Sequence, residues 1–156
     1  NEWLSGRFRP AESASRMEVI YALVRLAYGF NVTADEPDFA DLPADLDRRQ
    51  AVAVAAARGV VQGNGAGEFD PDRPVARQDA LVLLHRAMTD RGYKLPQGKN
   101  LEDFTDTEEL ADYALEAAEV LYAAGILQGG DGNRLNPRGE ITRAEMAVLL
   151  DRALGK

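Results

Sequence analysis

The sequence predicts an all-α domain that is built from repeated helix–loop–helix units. Its 156 residues are 46% hydrophobic but only 7% aromatic, so aliphatic side chains and alanine would form most of a helical core. Apolar residues recur at spacings of three and four in several segments, which is the period of a helix with one buried face. Parts of the chain also repeat without gaps, which indicates that one structural unit is used more than once.

The repeat is clearest in a motif that joins a proline to an arginine six residues later. The motif arginines are Arg16, Arg77 and Arg143, and each is followed two positions later by an acidic residue. A second block ends at Gly59 and again at Gly125, and in both copies it precedes the motif arginine by 18 residues. The predicted units span residues 1–30, 38–91 and 103–155 and together form one domain. The first unit contains only its second half.

The predicted helices follow this repeat in chain order. Motif helices are expected over residues 15–28, 76–90 and 142–154. Helices that end at glycine are expected over residues 47–58 and from Leu110 to Leu121, because glycine readily adopts the left-handed conformation that stops a helix. Tyr113 lies on the apolar stripe of the second of these and is expected in the core.

Two motif helices carry the signature of a capping box at their start. Ser15 with Glu18, and Thr142 with Glu145, place a hydroxyl and a carboxylate where each satisfies a backbone N–H. The third helix has Ala76 at the capping position, and loss of a capping hydroxyl costs ~1 kcal/mol. Its first turn is therefore expected to fray most readily.

Composition excludes several classes of function. A net charge of −8 and a pI of about 4.7 argue against nucleic-acid binding, which needs a basic face. No apolar run approaches the ~20 residues of a membrane span, so membrane insertion is not expected. With no cysteine and one histidine, we expect no metal site and no cofactor. No pair of carboxylates stands out as a catalytic pair, so we expect no enzyme activity.

The motif arginines occupy an unusual position. A helix N-terminus carries roughly half a positive charge, so an arginine there needs a negative partner. That partner is either an external ligand, or a carboxylate of a neighbouring unit such as Asp41 or Asp106. The two alternatives are compatible. A second set of arginines, Arg25, Arg86 and Arg152, lies late in the helices, where a structural role is favoured.

Other polar residues recur at equivalent places. Asp41 and Asp106 follow a phenylalanine by two positions, and turn formation or capping is favoured over ligand contact. Gln62 and Gln128 lie in the glycine turn, where a projecting amide could contact sugar hydroxyls or simply face solvent.

These motifs together resemble the S-layer homology domain. The third unit carries Phe104 and Asp106, then Gly125 to Gly129, then Leu135 and Pro137, and finally "ITRAEM". The resemblance implies three units in a pseudo-threefold spindle with grooves between neighbours, and noncatalytic anchoring at the bacterial cell surface. It also implies binding of an anionic, pyruvylated secondary cell-wall polysaccharide, with a protein–protein docking module for surface-layer assembly as the alternative. The expected ligand-binding residues are Arg16, Arg77, Arg143, Asp41, Asp106, Gln62, Gln128 and Glu145.

The incomplete first unit leads to a further expectation. The helix at residues 15–28 has no glycine-terminated helix before it within its own unit. Its apolar stripe would be exposed, and large apolar patches are rare on monomers. We therefore expect self-association or a separate N-terminal piece that completes the unit. The alternative is a monomer in which Trp3 and Leu4 fold back as a lid.

Overall fold

The computed structural model of the protein describes residues 9–63 and 65–155, and over these residues the protein is helical. The α-helices are α1 (Arg16–Ala27), α2 (Leu46–Ala57), α3 (Arg77–Asp90), α4 (Leu115–Ala123) and α5 (Arg143–Leu154). Short 3₁₀ turns lie at Thr107–Glu109, Asp112–Ala114 and Asp131–Asn133. In the described ranges extended pairing is limited to isolated bridges, so the predicted all-α class is confirmed.

The helix ends follow the local signals in the sequence. Ser15 and Thr142 each accept a hydrogen bond from the N–H of the glutamate three residues on, and both capping boxes are complete. Ala76 has a similar extended backbone but makes no side-chain capping bond. Gly59 and Gly125 follow the last turns of α2 and α4 with φ of 74° and 79°, which confirms the predicted glycine stops.

The helix predicted from Leu110 is wrong in its first turn. Leu110 and Ala111 are extended, and the N–H of Ala111 donates to the side chain of Gln78. The α-helix therefore starts only at Leu115, and the apolar period counted from Leu110 does not hold before that point. As a result Tyr113 is 63% exposed rather than in the core.

Backbone hydrogen bonds join the three motif segments in cyclic order. The N–H of Arg16 donates to the carbonyl of Arg73 over 2.8 Å, that of Arg77 to Gly139 over 2.8 Å, and that of Arg143 to Glu12 over 2.9 Å. A second set repeats the cycle between the residues after the arginines and Pro71, Pro137 and Pro10. Each unit is thus hydrogen-bonded to both other units, and a threefold arrangement requires such cyclic contacts. The spindle shape itself stays a prediction.

Helices pair between units rather than within them. The stripe of α1 packs against α2 of the second unit, and α3 packs against α4 of the third. Ile20, Leu23 and Val24 are fully buried. The expectation of an exposed stripe on residues 15–28 is therefore wrong, because α2 of the next unit covers it. Trp3 and Leu4, and the first eight residues of the predicted unit 1, lie outside the described residues.

Of the motif helices, α5 exposes more apolar surface than α3 at the equivalent position. In the described part of the chain no glycine-terminated helix packs on it, and Val148 is 45% exposed. The equivalent Val82 of α3, which α4 covers, is 9% exposed. The exposed apolar surface that the sequence leads us to expect on α1 thus lies on α5.

Candidate functional site

Two grooves between units bring together five of the eight predicted site residues, whereas Arg143, Asp41 and Asp106 line neither groove. The larger, of ≈ 590 Å³, lies between units 2 and 3, and Arg77, Gln128 and Glu145 line it above an apolar floor. The smaller, of ≈ 100 Å³, lies between units 1 and 2 and is lined by Arg16, Gln62, Gly63, Phe69, Asp70 and Arg73. Its arginine and glutamine occupy the repeat positions of Arg77 and Gln128, so the two grooves are equivalent sites with different side chains.

In the larger groove the motif arginine is held by a glutamate of the next unit. Arg77 donates from Nε to Oε2 of Glu145 over 3.0 Å and from Nη2 to Oε1 over 2.6 Å. Glu145 also accepts from the N–H of Thr142, so it caps its own helix and pairs across the unit boundary. Burial pushes the pKa of Glu145 upward, but these donors outweigh burial and lower the pKa. Gly139 stands beside this pair, where a Cβ would collide with Nη1 of Arg77.

Arg143 makes the equivalent contact with the first unit. Its Nη2 lies 2.6 Å from Oε2 of Glu18, the capping glutamate of α1, and its Nη1 lies 3.2 Å from Oε2 of Glu12. The side chain of Arg143 is only 12% exposed. A neighbouring carboxylate therefore satisfies both Arg143 and Arg77. The partner is the capping glutamate of the next unit, not Asp41 or Asp106.

Arg16 departs from this arrangement. It donates from Nε to the carbonyl of Phe69 over 2.9 Å and from Nη2 to the carbonyl of Gln62 over 3.1 Å. Its guanidinium also lies over the Phe69 ring, 5.0 Å from the centroid. Within residues 9–63 and 65–155 no carboxylate comes within 4.0 Å of its nitrogens. The acid at the equivalent position, Asp79, instead accepts from the hydroxyl of Tyr113 over 2.5 Å.

Asp41 and Asp106 tie two loops of their own units together. Asp41 accepts from the N–H groups of Phe69 and Asp70 over 2.7 and 2.9 Å. In the third unit Asp106 accepts from the equivalent N–H groups of Leu135 and Asn136 over 2.8 Å each. Burial pushes the pKa of Asp41 upward, but the N–H donors outweigh it and lower the pKa. The carboxylate of Asp106 is 4% exposed. This geometry matches the turn-forming role that the sequence favours.

The two turn glutamines project to the surface. Gln62 and Gln128 are exposed, and Nε2 of Gln128 donates weakly to the carbonyl of Gly125 over 3.3 Å. Both amides therefore lie at the mouth of a groove with most of their hydrogen-bonding capacity toward solvent.

The second set of arginines binds within the protein. Arg86 donates to the carbonyl of Val60 and Arg152 to that of Ile126, which are equivalent positions in the two glycine turns. Arg25 has no such turn among the described residues and pairs with Asp47 of α2 over 2.7 Å. These contacts agree with the structural role expected for this set.

Sequence reasoning did not propose Phe69 or Arg73 as site residues, although both line the small groove, and it placed Tyr113, the partner of Asp79, in the core. Arg73 could have been found from the repeat alone, because Glu12 and Gly139 occupy its position in the other units. Tyr113 could not, because its partner Asp79 is 34 residues away and on a different unit.

Comparison with known proteins identifies the class of domain. The family profile of the S-layer homology domain matches residues 38–81 and 103–147, which is more than half of the chain. The chain therefore belongs to the S-layer homology domain family. This membership indicates a location at the cell surface, and no helix in the described part of the chain is long and apolar enough to cross a membrane.

Particular relatives share this domain as a small part of a longer chain. The sequence is 28% identical over 154 residues to a surface-layer 125 kDa protein of Lysinibacillus sphaericus, across 96% of this chain and 12% of that protein. It is 30% identical over 112 residues to a middle cell wall protein of Brevibacillus brevis, across 71% of this chain and 10% of that protein. An endoglucanase of a Bacillus species is 22% identical over 149 residues, across 96% of this chain and 16% of the enzyme.

Proposed function

We propose that this domain anchors its protein noncovalently to an anionic, pyruvylated secondary cell-wall polysaccharide and has no catalytic activity. The observation that carries the proposal is the pair of equivalent inter-unit grooves, each with a motif arginine in its wall and a glutamine amide at its mouth. A pyruvate ketal presents a carboxylate, and the planar guanidinium of arginine can donate two parallel hydrogen bonds to it. The glutamine amides suit the sugar hydroxyls beside that acid group.

The proposed binding residues are those predicted from the sequence, with their roles separated by the geometry. Arg16 with Gln62, and Arg77 with Gln128, would contact the polymer in the two described grooves. Glu145 would hold Arg77 in place. Arg143 would serve a third groove toward unit 1. Asp41 and Asp106 would act indirectly, by holding the loops that form the groove walls.

A pull-down assay with purified wall polymer that carries pyruvate ketals tests this function. We expect the polymer to retain the domain, and we expect removal of the ketals by mild acid to abolish retention, because the carboxylate is lost while the sugar backbone stays. Equal retention before and after removal would contradict a role for the acid group.

A protein–protein docking module is the second candidate, and the open face of α5 favours it. Val148 and the apolar floor of the larger groove form adjoining apolar surface that a helix of a surface-layer subunit could cover. Binding to such a subunit with no affinity for wall polymer would support this candidate over the first.

A further inference from the structure

The three motif arginines face the same two repeat positions of the following unit, and those positions hold different residues. One is the capping acid, and the other stands four residues before the next motif arginine. Arg77 meets Glu145 and Gly139, and Arg143 meets Glu18 and Glu12. For Arg16 the corresponding residues are Asp79 and Arg73, and Arg73 lines the groove with it. Of the two grooves in the described part of the chain, this one combines a second arginine in its lining with a motif arginine that has no ion pair.

Two features keep Asp79 away from Arg16. Aspartate is one methylene shorter than the glutamates that make the equivalent pairs. The hydroxyl of Tyr113 also donates to Oδ1 of Asp79, and this bond, together with burial, raises the pKa of Tyr113 to about 12. Tyr113 thus stays a hydrogen-bond donor to Asp79 across the whole physiological pH range, and this bond competes with any ion pair between Asp79 and Arg16.

The small groove therefore differs from the larger one in its motif arginine, since Arg16 has no ion pair there whereas Arg77 is paired with Glu145. Burial and the neighbouring Arg73 lower the pKa of Arg16, and the more weakly acting carboxylates of Asp70, Asp79 and Asp41 oppose this effect without reversing it. Asp70 also lines the groove, and its carboxylate can accept from a sugar hydroxyl. Asp41 lies near as well, but its oxygens are engaged by backbone N–H groups.

We propose that the polymer's carboxylate binds first in the groove between units 1 and 2, where Arg16 and Arg73 clamp it. At Arg77 and Arg143 a glutamate carboxylate, from Glu145 and Glu18, pairs with the guanidinium. At Arg16 the carboxylate of the ligand takes that place. A volume of ≈ 100 Å³ suits the acid group of one sugar, with the ring outside against Gln62 and Asp70. This inference rests on the proposed function and adds which groove and which second arginine carry the binding.

The experiment compares two probes by isothermal titration calorimetry. The first is the pyruvate ketal of a methyl N-acetylhexosaminide, and the second is its methyl ester, which has nearly the same shape without the charge. Arg16→Ala and Arg73→Ala should each weaken binding of the acid by at least about tenfold, because each removes a charge-assisted contact. Arg48→Ala is the matched control, since it removes an equal charge from a partly exposed side chain on α2 that lines neither of the two described grooves.

Asp79→Glu gives the sharpest test, because it restores the side-chain length found at Glu18 and Glu145. The longer carboxylate should reach Arg16, compete with the ligand and lower the affinity for the acid probe by at least about tenfold. Its melting temperature should be unchanged or higher. If this variant fails to fold, Arg73→Ala decides, because Arg73 is exposed and outside the core.

The outcomes separate this inference from the function on which it rests. Wild-type binding of the acid but not the ester, with losses in the Arg16, Arg73 and Asp79 variants alone, supports the inference. Wild-type binding that matches that of the Arg16, Arg73 and Asp79 variants overturns it and leaves wall anchoring intact. A wild-type domain that retains neither the acid probe nor pyruvylated polymer overturns both.

Discussion

At the scale of single residues, the motif arginine has two kinds of partner in the three units. Arg77 and Arg143 are held by capping glutamates of the next unit, whereas Arg16 binds backbone carbonyls. The helix dipole disfavours all three arginines equally, so the difference comes from residues elsewhere in the chain. A staple between units and a ligand site are therefore compatible uses of the same position.

Arg143→Ala should lower stability and not only binding. The side chain is 12% exposed and contacts Glu18 and Glu12, so its removal leaves a partly buried carboxylate without its cation. Loss of a charge-assisted hydrogen bond costs roughly 1.5–3 kcal/mol. Urea denaturation should show a loss of this size. Arg48→Ala, which breaks an exposed pair with Asp45, should change stability by less than ~0.5 kcal/mol, and equal losses in the two variants would contradict a stapling role for Arg143.

At the scale of helices, the N-terminus of α3 differs from those of α1 and α5 because it lacks a capping hydroxyl. Ser15 and Thr142 donate and accept within complete capping boxes, while Ala76 has the same extended backbone and no side-chain oxygen. Local chemistry alone therefore makes α3 the helix whose first turn is held least well.

Ala76→Ser should stabilise the protein, because the new hydroxyl can accept from the N–H of Asp79 without any backbone change. The gain should be about 0.5–1 kcal/mol, and Ser15→Ala should cost a similar amount at the intact cap. Thermal unfolding of the two variants against wild type measures both. A fall in melting temperature for Ala76→Ser would show that the serine side chain cannot be accommodated there.

At the scale of the whole molecule, the cyclic hydrogen bonds make the first and last units neighbours. Residues near the start of the described chain pair with residues more than 120 positions away, as Ala14 does with Ile141. Long-range charge pairs reinforce this closure. The stability of the domain therefore depends on ionised carboxylates that belong to different units.

Stability should fall in acid. The Tyr28 hydroxyl and Arg58 donate to Asp90, and Tyr21 and Arg25 donate to Asp47, so the pKa of each aspartate lies below its usual value of 3.8. A carboxyl whose folded pKa is lowered contributes stability above its unfolded pKa and loses it as pH falls through the folded pKa. The melting temperature should be level near neutral pH and fall below about pH 4.5.

Tyr28→Phe provides the control for this pH dependence. It removes one donor to Asp90, so the pKa of Asp90 should move back toward its usual value. The difference in melting temperature between wild type and Tyr28→Phe should shrink as the pH falls. A difference that stays constant from neutral pH to pH 3 would show that the Asp90 contact does not contribute to the acid sensitivity.

Self-association stays a prediction, but the structure moves its expected surface from α1 to α5. Light scattering of the wild-type chain should show a mass that rises with concentration. Val148→Asp should remain monomeric, because a charge at this exposed position opposes burial of the α5 face without disturbing the core. A wild-type chain that is monomeric at all concentrations would contradict this expectation.

The sequence by itself determined the features that depend on residues a few positions apart. Helical periods, the two capping boxes, the glycine stops and the repeat were all predictable, because each rests on contacts within one or two turns. The residue types of the candidate site were predictable for the same reason, since the repeat shows them side by side. The start of α4 was not, because a side chain from α3 takes the N–H of Ala111.

Only the tertiary structure decided which residues meet across units. Arg77 and Glu145 are 68 positions apart, Arg143 and Glu12 are 131 apart, and Arg16 and Phe69 are 53 apart. No local pattern specifies such pairs, because they form only when three units close into a cycle and helices pack on the neighbouring unit. The covered face of α1, the open face of α5 and the groove that places Arg73 beside Arg16 all follow from that closure.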